Sequence, residues 1–195
     1  MIDNFDLIES LLVFDSKDDF YFLQLIQRKK EHEELGSNSR VIRSYFISSK
    51  EQLRKHEKEI KAICDVTNSR AYINLNRRSF RRTGLATLKN VTDHIINEDY
   101  EHIHRAYTTV CGQYKHEPNP TFILDIDEEI GRKHNDMIRY AETECEPIGP
   151  KFVGLIPTKN GSHILMKPFN LAKFKEKYPD VNVHKNNPTI LYVPY

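Results

Sequence analysis

The chain of 195 residues has no tryptophan, only seven glycines and only three cysteines. Cys64, Cys111 and Cys145 are odd in number and widely spaced, with no CxxC pair, which argues against a disulfide framework and a zinc ribbon. Cys111 and His116 are isolated candidate ligands, of the kind that more often belong to a core or a loop. A surplus of one charge sign is also missing: 29 Lys and Arg stand against 28 Asp and Glu, a formal net charge of +1. The chain therefore carries no overall basic field for nucleic acid, and leaves open only a local basic patch. No apolar run approaches the roughly 18 residues of a membrane span. The start, "MIDNFDLIESLLVF", carries acids where a signal peptide carries basic residues. These absences lead to the expectation of a cytoplasmic, reducing setting without a membrane.

What is present suffices for a core. Apolar residues make up 38% of the chain, with ten Phe and ten Tyr. The apolar spacing of residues 2, 5, 8 and 12 predicts a first helix. "DFYFLQLIQ" and "RVIRSYFI" predict two strands, and Ser48 with Glu51 predicts a capping box at the next helix. A third strand, "RAYINLN", precedes two helical stretches, one carrying Leu85, Leu88, Ile95 and Ile96, the other Ile103, Ala106, Val110 and Tyr114. "HEPNP" at 116–120 reads as a linker, since its prolines block regular structure. Beyond it, "TFILDID" is a strand, Ile130, Met137, Ile138 and Ala141 share one helical face, and Asn160-Gly161 joins two strands as a hairpin. A short helix after Asn170 and a strand closing "NVHKNNPTILYVPY" complete the order β-α-β-β-α-β. The expectation is an α/β (α+β) protein: an N-terminal α/β half over residues 1–118, packed on a ferredoxin-like, RRM-like sheet over residues 119–195.

"FILDIDEE", residues 122–129, places Asp125 and Asp127 one residue apart in an otherwise apolar strand. Alternating strand residues share a face, so both acids project together, and two adjacent carboxylates repel unless a cation lies between them. In a β-α-β-β-α-β sheet the first and third strands are neighbours, which places His163 of "SHILM" beside Asp125. The preceding "TKNGSHI" turn offers the Lys159 charge, backbone N–H groups around Gly161, and the Ser162 and His163 donors, a set suited to phosphates. Mg²⁺ or Mn²⁺ prefers oxygen ligands and bridges phosphates. The competing reading has the acids capping the following helix and His163 as a surface histidine. His184 and Lys185 read as exposed.

A strand ending in hDhD, then a hairpin carrying Gly-x-His, then a further acid, resembles the archaeo-eukaryotic primase (primase-polymerase) superfamily. The resemblance covers residues 120–195 and the first half in outline. It implies an RRM-like catalytic module in which Asp125 and Asp127 bind metal, His163 with Lys159, Gly161 and Ser162 contacts the phosphates of a nucleoside triphosphate, and Asp180 completes the metal site. The implied activity is two-metal nucleotidyl transfer onto a nucleic-acid 3′ hydroxyl in replication or repair. The implied partners are single-stranded or primer-template nucleic acid and a helicase or other replication protein. The shortness of the sequence beyond this module fits a minimal, phage- or plasmid-borne version.

"NLNRRSFRR" gathers Arg77, Arg78, Arg81 and Arg82 at a strand-to-helix junction, where a bound polyanion would relieve their mutual repulsion. Either the four form a nucleic-acid contact or they are a solvated basic face. Tyr72, Phe80 and Tyr107 are either base-stacking groups or core. Two rival functions remain at this level: a non-catalytic RRM-like module that stacks single-stranded nucleic acid on exposed aromatics, and a metal-dependent nuclease or phosphoesterase that uses the same acids with water.

Overall fold

The computed structural model describes all residues except 37, 115–116, 128–131 and 195. His116 and Ile130 fall outside the described residues. The chain is mixed α and β, with two antiparallel sheets. Among the described residues no helix is long and apolar enough to cross a membrane.

The first sheet runs β1 (Ile2–Asp3), β10 (Thr189–Val193), β4 (Arg70–Ile73), β2 (Asp19–Gln27), β3 (Arg40–Ile47), with β5 (Arg78–Ser79) added to the start of β2. Alternation along β2 divides its side chains between two cores. Tyr21, Leu23 and Leu25 face helices α1 (Phe5–Leu11) and α2 (Lys50–Thr67), while Phe20 and Phe22 face α3 (Phe80–Ile96) and α4 (Ala106–Gln113). Phe80 stacks on Phe20 at 4.3 Å and Tyr107 meets Phe46 edge-on at 5.1 Å, so both rings are core rather than a base platform.

Local chemistry explains the helix ends. Ser49, one residue later than the predicted cap, accepts the N–H of Gln52 at 3.1 Å, and the Gln52 side chain accepts the Ser48 N–H at 2.7 Å. The first helix starts at Phe5 because Ile2 is taken by strand pairing with Val193. Helix α3 forms where the periodicity predicts it, yet Leu85, Leu88, Ile95 and Ile96 are exposed and its one fully buried side chain is Thr83.

The second sheet contains β7 (Phe152–Pro157), β8 (Ser162–Met166), β6 (Phe122–Ile126) and β9 (Asn182–His184), in that order. With helix α5 (Arg132–Thr143) after β6 and α6 (Leu171–Lys177) after β8, this is the ferredoxin-like arrangement. Asn170 caps α6 by accepting the Lys173 N–H at 3.3 Å. Phe122, Leu124, Ile126, Ile164 and Met166 pack under the two helices. On the opposite face Ile123, Ile156 and Leu165 join the core of the N-terminal half.

One expected element is divided. The closing strand is two strands: β9 ends the second sheet, and β10 crosses into the first between β1 and β4. The intervening "KNNP" is polar and ends in a proline without an N–H donor. Every residue of "TILYV" is buried, which suits a central strand rather than a sheet edge.

Candidate functional site

The site is built on the face of the second sheet that turns toward the N-terminal half. Strand β6 presents Ile123 and Asp125 on that face, and antiparallel pairing with β8 sets Asp125 directly opposite His163. His163 Nε2 lies 3.4 Å from Asp125 Oδ1. Its other nitrogen, Nδ1, is 2.8 Å from the hydroxyl of Thr189 on β10, so the ring is held from both sheets. Thr189 is fully buried. The expected convergence of Asp125 and His163 is therefore present in the geometry.

A second imidazole was not expected. His184, on β9, faces the same carboxylate with Nε2 3.9 Å from Asp125 Oδ2. The amide of Asn187 donates to its Nδ1 at 3.0 Å. Asp125 thus lies between two histidines, one from each neighbouring strand. Contact with His163 holds the Asp125 carboxyl below its ordinary value against the opposing effect of burial, with His184 and Arg28 adding to the depression. Arg28, just past the end of β2, contributes its positive charge from the N-terminal half. The signal for His184 was available in "VNVH", where Val181 and Val183 face the helices, so Asn182 and His184 alternate onto the face that carries Asp125. Thr189 and Arg28 have no such local signal, because only the crossing of β10 and the packing of the halves bring them in.

Asp127 follows directly on β6 and is exposed. Gly161 is held against this strand end: a Cβ there would lie 2.0 Å from the carbonyl oxygen of Ile126 and 3.0 Å from the Asp127 Cα. The hairpin of Asn160-Gly161 is closed by the Thr158 N–H donating to the Gly161 carbonyl at 2.9 Å. Lys159 is exposed, 3.8 Å from Glu31, whose carboxylate also receives the Arg70 guanidinium.

Three expectations are corrected. Ser162 does not accompany His163: strand alternation turns it to the helix side, where it is fully buried and 3.0 Å from the buried ring of His134. Asp180 is not brought against Asp125. It is exposed in the turn between α6 and β9, and the residue paired with Asp125 on β9 is Asn182. The four arginines do not form one patch. Arg77 is paired with Asp15 at 2.6 Å, Asp19 at 3.3 Å and Glu117 at 3.5 Å. Arg78 is buried, donates to the carbonyls of Cys111 and Asn76, and lies 5.8 Å from the rings of both Phe22 and Tyr114. Burial pushes its guanidinium down to about 10. Arg81 and Arg82 remain exposed at the start of α3.

The donors suit a hard divalent cation in one mode. Among the described residues no group of three His, Cys, Asp or Glu side chains could hold a metal ion. Magnesium is commonly bound by one or two carboxylates together with substrate phosphates. An ionised Asp125 and an exposed Asp127 at one strand end fit that mode, in which the substrate supplies the missing ligands.

The chain matches no protein-family model, no curated protein and no solved structure.

Proposed function

We propose that this site binds a nucleoside triphosphate with Mg²⁺ or Mn²⁺ and transfers its nucleotide to a nucleic-acid 3′ hydroxyl, as a primase-polymerase type nucleotidyltransferase. The observation that carries this reading is the Asp125–His163 pair on adjacent central strands, 3.4 Å apart, at the sheet end where the Gly161 turn closes over Asp127. Asp125 and Asp127 would hold the ion, which when bound supplies the Lewis acidity that lowers the pKa of an attacking hydroxyl and neutralises phosphate charge. His163, with Thr189 behind its Nδ1, directs Nε2 toward the place where phosphate oxygens meet Asp125. Lys159, exposed on the hairpin, would add a positive charge on leaving Glu31 for a phosphate. In the reaction the 3′ hydroxyl gives up its proton to solvent as its oxygen bonds to the α-phosphorus, the bond from that phosphorus to the oxygen bridging to the β-phosphate breaks, and pyrophosphate leaves with the electron pair. Donors fixed before substrate arrives are the most effective way to stabilise charge that grows in the transition state. Nucleic-acid strands, and a helicase or similar replication protein, are the partners this activity calls for.

The stacking-module alternative is disfavoured by packing. The face of the second sheet that would display aromatics contributes Ile123, Ile156 and Leu165 to the shared core, and Phe122 faces the helices. The test is incorporation of labelled nucleotides on a primed single-stranded template with Mg²⁺ or Mn²⁺. Extended products support the reading; shortened primers would point instead to a nuclease acting through the same acids.

A further inference from the structure

We propose that His184 is a second phosphate-binding residue of this site, the N–H donor that a polyphosphate meets on the β9 side of Asp125. This rests on the triphosphate reading above and adds a residue that the motif pattern does not include. Three observations carry it. First, position: strand alternation turns His184 to the same face as Asp125, and its Nε2 is the ring atom directed at the carboxylate. Second, the state of the ring: with Nδ1 accepting from Asn187 at 3.0 Å, the proton of a neutral imidazole resides on Nε2. At 3.9 Å from Asp125 Oδ2 that N–H is too far for a hydrogen bond, so the donor is uncommitted among the described residues. Third, access: the His184 side chain is 35% exposed and Asp125 34%, whereas His163 is 12% exposed.

These facts divide the work of the two imidazoles. His163 is pinned between Thr189 and Asp125 and is largely covered. His184 is anchored at its far nitrogen and open to solvent at its near one. The carboxylate of Asp125 thus has an imidazole on each side, with Arg28 adding positive charge, a surplus of positive and donor groups over that one acid. A polyphosphate has many acceptor oxygens and matches that surplus, and donors to an ionised acceptor form the stronger class of hydrogen bond. Asp180, the acid expected at this place, is replaced by a donor, so the third wall of the site recognises anion rather than cation.

The test is calorimetric titration of the full chain with inorganic triphosphate and with dATP, both in Mg²⁺, comparing wild type, His184→Ala and His184→Gln. Loss of one hydrogen bond to a charged group weakens binding roughly ten- to a hundredfold. The expected result is that loss for His184→Ala and partial retention for His184→Gln, which keeps an N–H donor. Equal affinity of wild type and His184→Ala would overturn the assignment while leaving the triphosphate site standing. Absence of binding by the wild type would instead remove the triphosphate reading, and the assignment with it. Should His184→Ala fail to fold, the imidazole ¹⁵N resonances of the wild type decide: a shift of the His184 Nε2 signal on titration supports the role, and an unmoved signal refutes it.

Discussion

The Nδ1 of His163 lies 2.8 Å from the hydroxyl of Thr189, a contact that ties the candidate site on the second sheet to β10 of the first. Both groups are covered, so neither can exchange its partner for water at no cost. Thr189→Val keeps the shape and leaves His163 Nδ1 unsatisfied. We expect a loss of about 1–3 kcal/mol in stability by denaturant titration. Thr189→Ser, which restores the hydroxyl, should recover most of it. Equal losses for Val and Ser would show that packing, not the hydrogen bond, matters there.

Gly161 is required by proximity rather than by backbone conformation. A methyl group at that position meets main-chain atoms of Ile126 and Asp127, which cannot move as the end of a flexible side chain would. Gly161→Ala should destabilise the protein by about 1–3 kcal/mol, the usual range for overpacking, and should perturb amide resonances of residues 125–127 before those of the first sheet. Unchanged amides at the end of β6 would contradict this placement.

The arginine cluster offers a separation of roles. Arg78 is a structural side chain, so Arg78→Met should alter thermal stability. Arg81 and Arg82 are exposed, and their joint replacement by Ala should leave the melting temperature nearly unchanged. If nucleic acid lies along the start of α3, the double variant should bind single strands more weakly, with a shallower salt dependence because fewer phosphates are neutralised. A drop in strand affinity for Arg78→Met without loss of stability would reverse this division.

Much of the second half was legible in the sequence because its signals are local. Alternation placed Asp125, the Asn160-Gly161 dipeptide fixed the hairpin, and the β-α-β-β-α-β order made His163 its neighbour. Ser162 departs from its motif because it begins a strand, and period-2 alternation sets it on the face opposite His163, against His134. The division of the last strand was not legible: "NVH" and "TILYV" differ in burial, but the sheet each joins is decided by long-range pairing. Leu85, Leu88, Ile95 and Ile96 show the same limit. Their spacing is helical, while the direction of the stripe is set by which face of α3 meets the sheet, and that is the face carrying Thr83.

Glu142 provides a pH-dependent prediction outside the site. Its carboxylate accepts the N–H groups of Lys151 at 2.7 Å and Phe152 at 3.0 Å, fastening the loop before β7. The Phe152 and Lys151 N–H donors hold its carboxyl below the ordinary value. A carboxyl depressed in the folded state adds stability that is present above its unfolded value, roughly 4.3, and is lost as pH falls through the folded value. Stability of the wild type should therefore decline below that pH. Glu142→Gln, measured by urea unfolding across pH 3 to 6 (a range of about three units, chosen around that value), should decline less steeply. Parallel profiles would show that Glu142 is not held as the geometry describes.

The most direct test of the central claim is primer extension with labelled nucleotides and Mn²⁺, comparing wild type with Asp125→Ala under conditions where both are folded. Extension by the wild type and its loss in the variant, with the sheet intact by circular dichroism, is the predicted result. Equal extension by the two proteins, or none by either, would contradict the account.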